Sequence, residues 1–270
     1  FWVDYNANLW NPTTRSNILN EFRDYVGQYK DHPALLAWGL GNEQNYFNGN
    51  NSAWYSLTNE MAKAAYEIEG SGYHPVSIVN GEINNIGDPT PGTETDDASL
   101  DYIDMWASNV YRGYNFGNFF QDYAGKSQKP LLISEYGIDA WDNANGQEYP
   151  ETQSEWNKHQ WEQIAAASGI SPGGTIMAYS DEWWKAGNPW SQDYGGYIIN
   201  GAHPDGYSNE EWWGLVKVKY NGLGQIDTVI PRETFYTLFD DSPIPEPNSL
   251  LLLSTGLLSL FGLFGIRKNK

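Results

Sequence analysis

The sequence predicts a parallel (β/α)8 barrel that lacks its first one or two β/α units and is followed by a C-terminal transmembrane helix. Three observations support this prediction. Short apolar segments alternate with amphipathic helical segments, which is typical of parallel β/α folds. The chain contains no Gly-rich nucleotide-binding loop of the kind that marks many doubly wound sheets. An uncharged apolar run, residues 249–266, stands near the carboxyl end.

The first part of the chain contains two predicted strands and two predicted helices. Residues 1–5 have the pattern of a buried strand and follow no initiator Met or leader, so we expect upstream elements to be missing. A helix is predicted to begin at Asn11 and Pro12 and to end before Pro33. The near-continuous apolar run 34–40 predicts a strand covered on both faces, and a second helix is predicted to close at Gly70. The predicted apolar helix faces are Ile18, Leu19, Phe22, Tyr25, Val26 and Tyr29, then Trp54, Leu57, Met61, Ala65 and Ile68.

Four further strands and two helices are predicted in the rest of the barrel. The strands are residues 75–79, a segment within 103–111, then 130–134 and 174–179. Thr152 and Glu155 have the spacing of a capping box, which predicts a helix that runs from there through Ala167. Residues 232–239 are predicted to form the closing helix. Residues 1–241 are therefore predicted to be the barrel domain, from its third strand onward.

Composition narrows the class of partner. The 34 acidic and 15 basic residues give a formal net charge of −19, which argues against a nucleic-acid partner. The 13 Trp, 19 Tyr and 10 Phe exceed what a core requires, and their amphipathic rings suit sugars. There is no Cys, so disulfides and thiolate metal sites are excluded, and the His residues show no metal-ligand spacing. We expect no cofactor and no metal.

The carboxyl end has three parts. Residues 242–248 form a Pro-rich linker with a Pro-Glu-Pro motif, residues 249–266 an apolar helix, and residues 267–270 a basic tail. Eighteen helical residues span about 27 Å, close to the thickness of a bilayer core, and a basic tail is typical of a cytoplasmic stop. A buried core helix is the alternative interpretation. This order resembles the PEP-CTERM sorting signal of Gram-negative bacteria, and the resemblance implies processing by exosortase and export to the cell envelope or beyond, with transient membrane anchoring.

Two glutamates stand where two predicted strands end. Glu43 follows the segment Trp-Gly-Leu-Gly-Asn, residues 38–42, and Glu135 follows the segment Leu-Leu-Ile-Ser, residues 131–134. Catalytic groups of β/α barrels lie at the carboxyl ends of strands, and polar groups directly after apolar strands are costly to place unless they line a pocket. Glycosidic cleavage requires a carboxylic acid to protonate the departing oxygen and a carboxylate opposite the anomeric carbon. The alternative is that both are solvated loop acids.

These segments resemble the clan A retaining glycoside hydrolases, in particular the family 2 type TIM-barrel catalytic domain, with similarity to β-1,3-glucanosyltransferases. The resemblance implies that Glu135 is the nucleophile and Glu43 the acid/base, with carboxyl groups about 5–5.5 Å apart. It further implies that Asn42 binds the 2-hydroxyl of the sugar and that Tyr111 holds the nucleophile. For Asn42 the alternative is a turn or cap residue, and for Tyr111 an ordinary packed ring.

The segment after the last predicted strand is rich in aromatic and acidic residues. Trp183 or Trp184 matches the sugar-stacking Trp of the clan. Asp181 and Glu182 are expected to be solvated, or else to bind substrate hydroxyls or a cation.

The function expected from the sequence is a retaining glycoside hydrolase that acts on a β-linked, glucan-like oligo- or polysaccharide. The alternatives are a β-glucan transglycosylase of the same mechanism and a non-catalytic surface protein that binds carbohydrate.

Overall fold

The central feature of the fold is a parallel sheet that curls into half a barrel. The computed structural model describes residues 1–47, 51–199, 201–222 and 226–239. Within these ranges the sheet has five strands in the order β1-β2-β3-β4-β7, all parallel. The strands are β1 (Trp38–Leu40), β2 (Val76–Gly81), β3 (Met105–Asn109), β4 (Leu131–Tyr136) and β7 (Gly174–Ile176). The predicted β/α class is confirmed, and all five predicted strands after residue 33 are present with shifted ends.

Six α-helices precede, connect or follow these strands in the described ranges. They are α1 (Pro12–Tyr29), α2 (Gln44–Phe47), α3 (Asn51–Glu69), α4 (Phe119–Ala124), α5 (Pro150–Ala166) and α6 (Glu233–Phe239). The predicted start of α1 is confirmed, because the Asn11 side chain caps it by accepting from the backbone N–H groups of Thr13 and Thr14. On α3 the predicted apolar face is almost wholly buried, with Trp54, Leu57, Met61 and Ala65 in the core.

Two local predictions were wrong. Residues 1–5 form no strand. Only Phe1 pairs with the edge of β1: its amino group donates to Gly39 O at 2.6 Å, and its carbonyl oxygen accepts from Gly41 N at 2.9 Å. The chain turns away after that, because the Asp4 side chain accepts from Asn6 N. The capping box at Thr152 is also absent, because α5 begins two residues earlier, at Pro150. Proline suits the first helical position, since its φ is preset and its missing N–H would be unpaired there.

Two antiparallel hairpins complete the fold and were not predicted. One pairs β5 (Trp141–Asp142) with β6 (Gln147–Glu148), and the other pairs β8 (Val216–Lys219) with β9 (Thr228–Pro231). Val216 also forms a parallel bridge with Ser180, so the second hairpin lies beside the chain that leaves β7.

The predicted membrane segment, residues 249–266, lies outside the described residues, together with the whole linker, residues 242–248, and the whole basic tail, residues 267–270. Among the residues that the structure describes, none of the helices combines the length and the apolar character needed to cross a bilayer.

Candidate active site

Polar side chains from four adjacent strands converge at one edge of the sheet. Glu43 follows β1, Glu82 follows β2, Asn109 ends β3, and Glu135 is the last but one residue of β4. The strands are parallel, so these positions share the carboxyl edge of the half-barrel, where β/α barrels carry their chemistry.

The backbone at Glu43 is in a conformation that non-glycine residues rarely adopt. Its φ is +55°, in the left-handed region, and it follows Gly41 with φ +68°. A side chain at Gly41 would come within 2.6 Å of the Trp54 ring, so the turn requires glycine there. The Glu43 N–H donates to Val79 O at 3.0 Å, which anchors the turn to β2. Strain of this kind concentrates at functional sites.

Asn109 connects the two candidate carboxylates. Its side-chain nitrogen donates to Glu43 Oε1 at 3.1 Å and to Asn42 Oδ1 at 3.0 Å. Its side-chain oxygen accepts from Ser134 Oγ at 2.7 Å, which fixes the orientation of the amide. In the sheet, Asn109 is the register partner of Glu135. One buried residue therefore binds one carboxylate and stands beside the other.

Tyr111 holds the other carboxylate. Its hydroxyl donates to Glu135 Oε2 at 2.6 Å, a short charge-assisted hydrogen bond. Burial, and then the charge of Glu135, raises the pKa of Tyr111 well above its usual value. The phenol therefore remains a proton donor throughout the physiological range. The edge of its ring packs against Trp213, with ring centroids 5.1 Å apart.

The two carboxylates interact electrostatically. Burial is the main cause that raises the pKa of Glu43, and the negative charge of Glu135 raises it further, whereas the hydrogen bond from Asn109 lowers it. The pKa of Tyr5 is raised mainly by burial, then by the charges of both glutamates. The pKa of Tyr197 is raised to about 12, again mainly by burial, with both glutamates contributing. Both phenols therefore feel the charge of the same acidic pair.

Asn42 lies within this network. Its side-chain oxygen accepts from Asn109, and its backbone oxygen accepts from the Tyr5 hydroxyl at 2.8 Å. Because the oxygen is engaged, the amide nitrogen is the group through which Asn42 can donate to a ligand.

A bidentate ion pair borders the site. Arg112, just after β3, donates to both carboxylate oxygens of Glu82 at 2.8 and 2.6 Å, and its guanidinium lies over the Phe119 ring. Next to it, the Tyr46 ring covers Gly81, where a Cβ atom would clash with it at 2.0 Å.

The segment after β7 is partly structural. Asp181 does not face solvent, because its fully buried carboxylate pairs with Arg232 at 2.7 and 2.8 Å. Glu182 pairs with Lys185 at 3.2 Å. Trp183 is half-buried, and its indole N–H is buried without a hydrogen-bond partner among the described residues, whereas Trp184 is 70% exposed.

Several residues of the site were not predicted, because the local sequence pattern around them does not indicate such a role. Lys185 lowers the pKa of Glu43 and Glu210 raises it, so the charges of both act on that carboxyl. His203 is buried between the Tyr197 and Trp213 rings, and burial lowers its pKa to about 4. Asn109 lies two positions before Tyr111, and its role in the site was not predicted from the sequence. Among the described residues, no three His, Asp or Glu side chains form a group that could hold a metal.

Comparison with solved structures shows the fold. An FMN-binding β-glucuronidase from Facaelibacterium prausnitzii is similar over 84% of this chain and 32% of its own, with 16% identity and a TM-score of 0.52. An active-site mutant of the Rhizomucor miehei β-1,3-glucanosyltransferase with laminaritriose is similar over 80% and 70%, with 13% identity and a TM-score of 0.50. Saccharomyces cerevisiae Gas2p with laminaritetraose and laminaripentaose is similar over 87% and 46%, with 17% identity and a TM-score of 0.51. The chain thus spans about a third of the β-glucuronidase.

Comparison of sequences shows the family. No curated protein matches the chain. The family model described as "Glycosyl hydrolases family 2, TIM barrel domain" matches residues 3–170, which is 168 of 270 residues and includes Glu43, Asn109 and Glu135. Since the match covers more than half of the chain, the protein belongs to the glycosyl hydrolases of family 2 through their TIM barrel domain.

Proposed function

We propose that the protein is a retaining glycoside hydrolase that cleaves β-linked, glucan-like oligo- or polysaccharides by double displacement. Glu135 is the nucleophile and Glu43 is the acid and then the base. The observation that carries the proposal is the position of Asn109, which hydrogen-bonds Glu43 while standing in register with Glu135. A retaining enzyme requires two carboxyl groups held close together across a sugar.

The hydrogen bonds suit the two carboxylates to different roles, nucleophile for Glu135 and acid/base for Glu43. Tyr111 binds Glu135 Oε2, which leaves Oε1 to attack the anomeric carbon and form an ester. Glu43 gives its proton to the departing oxygen as the glycosidic bond breaks. Glu43 then takes a proton from water, whose oxygen displaces Glu135 and restores the carboxylate. The raised pKa of Glu43 suits this role, because the group must be protonated in the first step.

Other side chains at the carboxyl edge of the sheet are proposed to contact the substrate. Asn42 is proposed to donate to the 2-hydroxyl of the bound sugar, and Trp183 or Trp184 to stack on a sugar ring. A transglycosylase would use the same intermediate, with a sugar hydroxyl in place of water.

A panel of glycans tests the proposal. The full chain is incubated with β-1,3-glucan, β-1,4-glucan, β-mannan and β-galactosides, and products are followed by chromatography and by the anomeric signals in NMR. Initial release of the β-anomer from one substrate supports a retaining hydrolase, and longer products support transfer. Binding without turnover of any glycan would favour the non-catalytic carbohydrate-binding protein.

Tyr111→Phe is expected to lower kcat on the order of 10- to 100-fold with little change in the unfolding temperature. It removes a hydrogen bond to a charged group, worth about 1.5–3 kcal/mol, and leaves the ring in place. Steady-state kinetics on the best substrate of the panel measures the effect. Tyr123→Phe, which removes a buried phenol that donates to a backbone carbonyl away from the carboxylates, serves as the control. Equal kcat for the two variants would contradict the role of Tyr111.

Lys185→Met and Glu210→Gln are expected to move the alkaline limb of kcat/KM in opposite directions. Glu43 must be protonated, so activity falls as the pH rises through its pKa. Lys185 lowers that pKa, so its loss moves the limb to higher pH, whereas Glu210 raises it, so its loss moves the limb to lower pH. Each shift should be a few tenths of a pH unit and should shrink in about 1 M salt. Shifts in the same direction would argue against Glu43 as the titrating acid.

We also propose that residues 242–270 direct export, with the apolar segment as a transient anchor. Fractionation of cells that express the chain with and without these residues tests this, and identical distributions would contradict it.

A further inference from the structure

Three aromatic side chains beside Glu43 form a partly exposed cluster that the mechanism does not use. Trp2, Tyr5 and Phe47 are linked in a row, with centroids of Trp2 and Tyr5 4.7 Å apart and those of Tyr5 and Phe47 4.5 Å apart. Trp2 is 57% exposed and Phe47 is 58% exposed. A contiguous exposed apolar patch next to a polar site commonly marks a binding surface.

The cluster contacts the segment that carries Glu43, the proposed acid/base, rather than the segment that carries Glu135. The Tyr5 hydroxyl donates to the backbone oxygen of Asn42, the residue before Glu43, and Phe47 is one helical turn beyond Glu43 on α2. The charge of Glu43 raises the pKa of Tyr5 more than that of Glu135 does. The row therefore extends from the Glu43 side of the carboxylate pair.

We propose that Trp2, Tyr5 and Phe47 form the subsite for the sugar on the leaving-group side of the cleaved bond. The inference rests on the proposed function, in which Glu43 protonates the departing oxygen. The group attached to that oxygen must lie on the Glu43 side. An exposed ring face suits the C–H face of a pyranose, while the Tyr5 hydroxyl stays bonded to the protein. In a transfer reaction the same row binds the acceptor sugar.

The test compares two substrates that differ only in the leaving group. One is the oligosaccharide that the chain cleaves best, and the other is the glycosyl fluoride of the same sugar, whose leaving group has no ring to stack. Phe47→Ala is expected to lower kcat/KM for the oligosaccharide roughly tenfold and to leave the fluoride within about twofold. Trp2→Ala should show the same selectivity, and Phe47→Tyr should retain activity on both.

Phe239 provides a matched control, because it is also a phenylalanine with 58% exposure, on α6. Phe239→Ala should leave both substrates unchanged. Equal losses on oligosaccharide and fluoride in Phe47→Ala would overturn the subsite, and so would no loss on either.

Failure of the proposed function remains distinguishable. If the unmodified chain turns over neither glycans nor fluorides, the glycosidase proposal falls, and the subsite is judged by retardation in gels that contain laminarin. Weaker retardation of Phe47→Ala than of Phe239→Ala would then support a sugar-binding row, and equal retardation would overturn it.

Discussion

Glu135→Gln is expected to lower kcat on the order of 10⁴-fold or more, the size of loss seen when one member of a catalytic group that acts as a unit is removed. The substitution keeps the shape of the side chain and an oxygen that can accept from Tyr111, but it removes the negative charge that the proposed mechanism uses as the nucleophile. The fold should survive, because Glu135 is only partly buried and leaves no charge unpaired. The unfolding temperature should therefore change by only about 2 °C.

Covalent labelling makes the result specific to the nucleophile. A 2-deoxy-2-fluoroglycosyl fluoride of the substrate sugar should add one sugar mass to the unmodified protein, on the peptide that contains Glu135. Glu135→Gln should show no label. Glu43→Gln should still be labelled, because fluoride departs without a proton. Equal labelling of the unmodified protein and Glu135→Gln would overturn the assignment.

Charge removal alone needs its own control. Glu162 is an exposed carboxylate on α5 that pairs with Lys158. Glu162→Gln changes the net charge by the same amount and should leave both kcat and labelling unaltered. A loss in this variant similar to that of Glu135→Gln would point to a general effect of charge.

Local sequence pattern predicted the part of the fold that is set by periodic burial. Apolar residues at helical spacing gave the inner face of α3, and continuous apolar runs gave the strands that are covered on both faces. Glu43 and Glu135 could be recognised as candidates because Glu43 stands three residues after one such strand and Glu135 is the last but one residue of another. The ends of strands were less predictable, since hydrogen bonding to a neighbour decides them. Residues 34–37 have an apolar pattern but precede the pairing that begins at Trp38.

The environment of the site could not be predicted in the same way. Tyr5 reaches Asn42 across 37 positions of sequence, and Arg232 reaches Asp181 across 51. Such contacts depend on how loops fold over the edge of the sheet, which no local period encodes. Asp181 is an example of a residue whose environment was mispredicted for this reason. Its neighbours in sequence are polar and aromatic, as in a binding loop, yet its carboxylate is fully buried.

The buried ion pair has a consequence for the site as well as for the fold. Asp181 Oδ1 accepts from Gly214 N at 3.0 Å, and Arg232 donates to Gly214 O at 2.7 Å. Gly214 follows Trp213, whose ring packs on Tyr111. The pair therefore fixes the backbone next to Trp213, whose ring supports Tyr111, the hydrogen-bond donor to Glu135.

Arg232→Met is accordingly expected to lower the free energy of unfolding by about 3–5 kcal/mol, because it leaves the carboxylate of Asp181 buried without its partner. Both side chains are 0% exposed, so water cannot replace the lost ion pair. Urea titration followed by tryptophan fluorescence measures the change, with the slope of the transition compared between variants.

Two further variants separate burial of charge from loss of packing. Lys158→Met breaks an exposed ion pair on α5, whose side chains are 52% and 53% exposed, and should cost less than about 1 kcal/mol. Asp181→Leu combined with Arg232→Met removes both buried charges and should be more stable than Arg232→Met alone, since the buried carboxylate of Asp181 is gone and Glu148, which also loses Arg232, keeps its ion pair with Lys217. If Arg232→Met costs no more than Lys158→Met, the pair does not anchor this part of the fold. A double variant less stable than Arg232→Met would instead assign the stabilisation to the hydrogen bonds that Asp181 makes with Gly214 and Gln192.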